Sequence, residues 1–297
     1  MVQSSRGAAG PRDVLVEPPP DMPEITAFLA IVLFLMGTLA GTMGALLGLG
    51  GGVFLVPFLV LVIKLPMTHA VGISLMTVIA TSSVVSAQRA GRQLINLRLG
   101  MLLEVATAAG GLAGGIVVWM MSPQFLQRLF GVVTALAAVM MLRRLDRRNV
   151  ILDPAVDPGL LGGRYHEDES GGTVTYRVRR LPLALGVSFV AGSVSSLLGL
   201  GGGILKVPAL NAWCGVPMRA AAATSAFMIG VTATAGAVIY YGRGQVVPWM
   251  AASTVLGVLA GSRAGFALGL RARARWLKLA LAIVLLLVCG LMFLRAR

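Results

Sequence analysis

The sequence predicts an all-α polytopic membrane protein made of two homologous helical modules with glycine-broken helices. Three observations carry this. The chain of 297 residues is 57% hydrophobic and only 12% charged, with a mean hydropathy of +0.87, whereas soluble domains run near a quarter charged. Apolar runs recur from Ile25 onward, many near the twenty residues that cross a hydrocarbon core of about 30 Å as helix. One glycine-rich motif occurs twice: Leu46–Pro57 reads LLGLGGGVFLVP and Leu197–Pro208 reads LLGLGGGILKVP, identical at nine of twelve positions. This balance excludes a soluble enzyme, a disordered chain and a fibrous protein. A β-barrel would need strands of alternating polarity, which are missing. Helices remain, because lipid offers no partner to an unpaired backbone group.

Residues 1–24 form a polar tail with Pro18, Pro19 and Pro20 in succession and four acidic residues. It lacks the basic patch, short apolar stretch and cleavage site of a removable signal peptide, so none is expected. The first transmembrane module is read over 25–142, with apolar runs at 25–47, 53–63, 70–88, 99–121 and 124–142. Residues 143–180 follow as the one long connector. It opens on Arg143, Arg144, Arg147 and Arg148, closes on Arg177, Arg179 and Arg180, and carries Asp153, Asp157, Glu167, Asp168 and Glu169 between them. It reads as a solvated cytoplasmic linker rather than a regulatory or docking loop, since such composition rarely builds a core. The second module occupies 181–297, with runs at 181–198, 203–214, 218–241, 246–269 and 276–294.

The formal net charge is +14. Basic groups interleaved with aromatics, as nucleic-acid binding would need, are missing. Most Lys and Arg instead lie between the apolar runs, where they orient a protein in a bilayer, and they place the linker inside. A multi-pass protein of a bacterial-type cell membrane is expected. Cys214 and Cys289 both lie in apolar stretches and make neither a disulfide framework nor a metal site. No metal or cofactor is expected.

The repeat persists without a gap at an offset of 151, Gly48 against Gly199. Pro66 pairs with Pro217, Met67 with Met218, Ser74 with Ser225, Thr81 with Thr232, and Gly91-Arg92 with Gly242-Arg243. Five crossings per module would invert the second copy, and four would leave it parallel. The positive charges fit both equally. The short second runs, 53–63 and 203–214, suit a returning half-helix, so inverted repeats are expected.

Gly50, Gly51 and Gly52, and their counterparts Gly201, Gly202 and Gly203, interrupt apolar runs. Each glycine disfavours helix by about 1 kcal/mol relative to alanine. The helix should break there and restart toward Pro57 or Pro208, exposing backbone N–H groups that favour an anion. Broken backbone survives in a membrane only where it is buried in protein or lines a cavity. Two such breaks at matched positions point to a transport site. A nucleotide-binding G-x-G-x-x-G needs a strand–turn–helix setting that is lacking here. Close helix packing explains isolated glycines, but poorly explains duplicated triplets followed by proline.

The duplicated GLGGG-x-x-x-VP at Gly48–Pro57 and Gly199–Pro208, the following Pro66-Met67 and Pro217-Met218, and the two-module layout resemble the TauE/SafE sulfite exporter family, also called toluene-sulfonate uptake permeases. The resemblance covers about residues 25–295. It implies a secondary transporter of a small sulfur-containing or organic anion, such as sulfite, sulfoacetate, thiosulfate or a sulfonate. The motif is specific for the family, not for substrate or direction.

The expectation is therefore a permease that moves a small anion by alternating access, with substrate held between the breaks by backbone N–H groups and hydroxyls. Lys206, opposite Leu55 in the first copy, would strengthen anion binding or else snorkel to an interface. Arg263 has the same two readings. Glu104 could carry a coupling proton or pair with Arg98 at the interface. His69 reads as a surface histidine. Ser74 and Ser225 lead the hydroxyls, ahead of Thr77, Thr81, Ser82, Ser83, Thr224, Thr232 and Thr234; Gln88 and Asn211 are weaker. Gly110-x-x-x-Gly114 and Gly261-x-x-x-Gly265-x-x-x-Gly269 read as packing seams, with a homodimer interface left open. Trp119, Trp249, Trp276, Tyr240 and Tyr241 read as interfacial anchors. A cation permease or channel would favour carboxylate rings, which are absent. A membrane enzyme would have few groups for acid–base chemistry, and a non-transporting scaffold is the remaining alternative.

Overall fold

The computed structural model describes residues 26–47, 50–90, 94–143, 157–167, 172–269 and 286–292. In chain order the elements are α1 (Ala27–Leu47), α2 (Gly52–Leu61), α3 (Met67–Ala90), α4 (Leu97–Val117, extended by a 3-10 turn over Val118–Met120), α5 (Pro123–Arg143), strands β1 (Gly163–Glu167) and β2 (Gly172–Tyr176), α6 (Leu181–Leu198), α7 (Gly203–Cys214), α8 (Met218–Gly242) and α9 (Pro248–Gly269). Residues 286–292 are helical as well. Helix ends follow the local chemistry. Pro123 and Pro248 open their helices, where a missing N–H costs nothing. Asn96 caps α4, its side chain accepting from Leu99 N at 3.0 Å. Among the described residues, α1, α3, α4, α6 and α8 are long and apolar enough to cross a membrane. α2 and α7, of 10 and 12 residues, are too short. At 1.5 Å per residue they reach only about 15–18 Å, half a hydrocarbon core.

Small residues set the packing. A Cβ on Gly37 or Gly41 of α1 would run into the carbonyls of Thr254 or Val258 of α9, and one on Gly261 or Gly265 into those of Thr38 or Thr42. α1 and α9 therefore lie parallel, backbone against backbone, and Thr42 Oγ1 donates to Gly261 O at 3.0 Å. α4 and α6 repeat the arrangement: Gly110 and Gly114 abut Phe189 and Ser193, and Gly192 abuts Thr107. The Gly110–Gly114 and Gly261–Gly265 parts of the seams read from the sequence thus close within one chain, while the surroundings of Gly269 lie outside the described residues. At the centre α3 and α8 run antiparallel, with Leu75 beside Gly236 and Ser82 beside Gly230; Ser82 Oγ donates to Ala226 O. α4 runs parallel to α8, since Gly100 lies near Thr224 and Gly115 near Ile239. Large apolar side chains such as Phe28, Ile31, Leu35, Val105 and Ile116 are exposed on the outside of this bundle. That is the surface of a helical protein solvated by lipid.

The connector departs from expectation. Instead of a wholly solvated linker, it contributes an antiparallel hairpin in which Tyr165 faces Val174 and Gly163 faces Tyr176. Strand alternation brings Tyr165, Val174 and Tyr176 to one face. All three are buried, in a cluster with Leu99 and Leu103 of α4, Val207, Leu210 and Cys214 of α7, and Ala220 and Ala221 of α8. Asn96 Nδ2 approaches Leu161 O at 2.8 Å and Tyr176 Oη at 3.1 Å. Burial pushes the Tyr176 phenol pKa up, and its hydrogen bond with Asn96 opposes that. Local composition missed the hairpin because its apolar partners lie on other elements.

Two further expectations are corrected. Tyr240 is fully buried, its hydroxyl donating to Ser196 O at 3.0 Å, rather than anchored at an interface. Its ring lies 5.8 Å from that of Trp119, over which Arg243 stacks at 4.5 Å. His69 is buried too, its Nδ1 3.0 Å from Gln245 O in the α8–α9 turn, because the antiparallel run of α3 and α8 brings that turn onto it. Trp276 lies outside the described residues.

Candidate functional site

The two glycine breaks meet. α2 begins at Gly52, and a Cβ there would overlap the carbonyl of Gly199 and stand 2.6 Å from Ser74 Oγ. Ser74, fully buried on α3, donates to Gly199 O at 2.8 Å and ties the second break to the first. Gly50 takes φ 78°, and Gly199, Gly201 and Gly202 take φ 69°, 76° and 68°. In this left-handed region only glycine is unstrained. Gly51 instead caps α2 at φ −74°, so the breaks differ where Gly51 and Gly202 correspond. Neither helix start has a side-chain cap. Beside the first break a small cavity is lined by Gly44, Gly50, Thr81, Ser82, Val85, Ala226 and Ile229.

A charged network flanks the second break. Lys206 lies in the first turn of α7 and is only 1% exposed, so it does not snorkel. Its Nζ donates to Thr232 Oγ1 of α8 at 3.3 Å, and Thr232 Oγ1 donates to Glu104 Oε1 of α4 at 2.8 Å. A hydroxyl has one proton to give and two lone pairs to receive. Met228 O of its own helix is a second acceptor at 3.1 Å, but with the proton on the shorter bond to Glu104, Thr232 links cation to carboxylate in one chain of hydrogen bonds. Glu104 is 8% exposed and turned inward to Thr232, away from the exposed Arg98. Among the described residues, Glu104 Oε2 has no hydrogen-bond partner, and neither do Ser195 Oγ and Ser196 Oγ on α6, the latter facing Gly236 of α8 and Gly115 of α4. A Cβ on Gly202 would lie 3.3 Å from Ser195 Cβ and 3.5 Å from Lys206 Cε, so serine, cation and glycine break are in contact.

The remaining sequence candidates divide. Ser225 is buried, and its Oγ has no partner among the described residues. Arg263 is exposed on α9 and takes no part in the network. Thr77 and Thr81 bond back to their own helix, and Asn211 Nδ2 closes the end of α7 through Val216 O at 2.9 Å. Ser195 and Ser196 were not singled out from the sequence. A signal was there: the aligned first-copy positions are Gly44 and Ala45, so two hydroxyls enter beside the same motif in which Leu55 gives way to Lys206.

Comparison with known proteins points to a membrane transporter. The family model described as "Sulfite exporter TauE/SafE" matches residues 33–292. The chain is similar to "Probable membrane transporter protein YunE" of Bacillus subtilis, 26% identical over 271 residues that cover 89% of this chain and 97% of that one. It is also similar to "Probable membrane transporter protein MJ0441" of Methanocaldococcus jannaschii, 25% identical over 70% of this chain and 71% of that one. No solved structure matches. With a bundle of apolar helices and a family match spanning most of its length, the chain belongs to the sulfite exporter TauE/SafE family of membrane transporters.

Proposed function

We propose that this protein is a secondary permease for a small anion, a sulfur oxyanion or organosulfonate, that works by alternating access in the cell membrane. The observation that carries the reading is the junction of the two glycine breaks, where Gly52 meets Gly199 and Ser74 bridges them. Substrate would bind at this junction, drawing on the start of α2, the start of α7, Ser225 and Lys206. Helix starts favour negative charge through their free N–H groups. Ser74 is already engaged with Gly199 O, so its role in this reading is to hold the joint, and release of that bond would accompany substrate entry.

The same reading takes the chain as two inverted modules of five elements, with α2 and α7 as returning half-helices and the hairpin side facing the cytoplasm. Support comes from helix directions. α3 and α8 hold corresponding places in the two copies yet run antiparallel, while α1 lies along α9 as α6 lies along α4. A two-fold axis in the membrane plane relates such pairs, and transporters with that symmetry bind substrate between the repeats. The test is flux into liposomes holding the purified protein, with sulfite, thiosulfate, sulfoacetate and ethanesulfonate as a panel. Saturable uptake of at least one, absent from protein-free liposomes, is expected. Uptake of none, or a potassium current in its place, overturns the proposal.

A further inference from the structure

We infer that Glu104 is the resident counter-ion of Lys206, and that an anion binding at Lys206 makes it take up one proton, so that each anion is carried with one proton. This rests on the permease reading and adds the coupling that the reading leaves open.

The argument is one of charge balance. Lys206 and Glu104 come from different parts of the chain, α7 and α4, and both are nine-tenths or more buried beside the second break. Thr232 stands between them, accepting from one and donating to the other. Without ligand the site therefore holds one cation and one carboxylate, which is neutral. An anion that adds itself to Lys206 leaves a net negative charge inside the membrane. An uncompensated buried charge costs several kcal/mol, and a buried carboxylate relieves it by taking a proton. Glu104 has a free oxygen for that proton. Glu104 Oε2 is buried and has no partner among the described residues, so it can be protonated without breaking the bond from Thr232 to Oε1. Ser195, with an unpartnered hydroxyl, adjoins Gly202 beside Lys206 and is placed to donate to an anion held there. The first break has no such set: Leu55 stands where Lys206 would be and Val255 where Glu104 would be. Coupling is thus confined to one half of a repeated structure.

The other titratable groups around Glu104 do not compete for this role. α6 carries none. On α7 the only others are Cys214, at the far end of that helix beneath the hairpin, and Lys206 itself. On α8, Arg219 and Tyr241 are exposed and Tyr240 is engaged with Ser196 O. On α4 itself, Arg98 is exposed; on the hairpin packed against α4, Arg164 and His166 are exposed, Tyr165 is buried in its apolar cluster and Tyr176 is engaged with Asn96.

The experiment uses the full chain and whichever panel anion it transports. Ethanesulfonate comes first because it has no proton of its own at working pH; for sulfite, protein-free titration is subtracted. In weakly buffered detergent solution, a pH dye should report uptake of about one proton per anion bound by the wild type. Apparent affinity should fall toward tenfold per pH unit on the alkaline side. Glu104→Gln fixes the neutral form: the variant should bind the anion with little pH dependence and without proton uptake. Binding without proton uptake by the wild type overturns the inference even if Glu104→Gln fails to fold. Proton uptake that persists in Glu104→Gln overturns it as well, and assigns Glu104 a structural role. Flux of an anion without protons leaves the permease reading standing, whereas flux of no panel anion removes both.

Discussion

Replacing Gly52 by alanine tests whether the two breaks form one joint. The new Cβ would overlap the Gly199 carbonyl and lie 2.6 Å from Ser74 Oγ. Neither obstacle can easily yield: one is backbone, and the other is a hydroxyl held 2.8 Å from that same carbonyl. Overpacking of this kind costs about 1–3 kcal/mol, and loss of the Ser74 bond adds about 1 kcal/mol. Alanine's better helix propensity returns up to about 1 kcal/mol. The net is a loss of roughly 1–4 kcal/mol, which at about 2–4 °C per kcal/mol lowers the melting temperature by roughly 2–16 °C. Gly186→Ala is the control, since a Cβ there meets nothing within 4 Å and should be neutral or slightly stabilising. The assay is thermal unfolding in detergent with anion flux measured alongside. If Gly52→Ala melts with Gly186→Ala and retains wild-type flux, the breaks are not mechanically joined and the reasoning fails.

Other outcomes follow from the same geometry. Gly110→Ala and Gly261→Ala occupy matching places in the α4–α6 and α1–α9 seams; each should destabilise by about 1–3 kcal/mol, and by similar amounts, in the same melting assay. Asn96→Ala removes the cap of α4 and the tether of the hairpin. It should cost about 1–2 kcal/mol and speed proteolysis around residues 157–176, read by limited digestion and mass spectrometry.

How much of this was legible in the sequence depends on how local the cause is. The helical runs and the breaks were, because composition and glycine act within a few residues: α2 begins at Gly52 and α7 at Gly203, each on the last glycine of its triplet. The partners of the buried polar groups were not. Whether Lys206 snorkels or stays inside depends on Thr232 and Glu104, one 26 residues and the other 102 residues away along the chain. His69 looked exposed beside Lys64 until the α8–α9 turn was placed over it. The hairpin face of Tyr165, Val174 and Tyr176 is only three residues deep, too short a pattern to stand out in a charged connector.

The parallel seam between α1 and α9 has a consequence for assembly. α1 is complete at Leu47, but its partner emerges only over Pro248–Gly269. At about 5–20 residues per second, some 10–40 s of synthesis separate the two. Through that interval Gly37 and Gly41 present bare backbone to lipid or to the insertion machinery, and the face of the first helix that α9 will cover waits for its partner. Nothing made in the first half of the chain completes the interior. The last quarter to be translated closes the interface that the first helix opened.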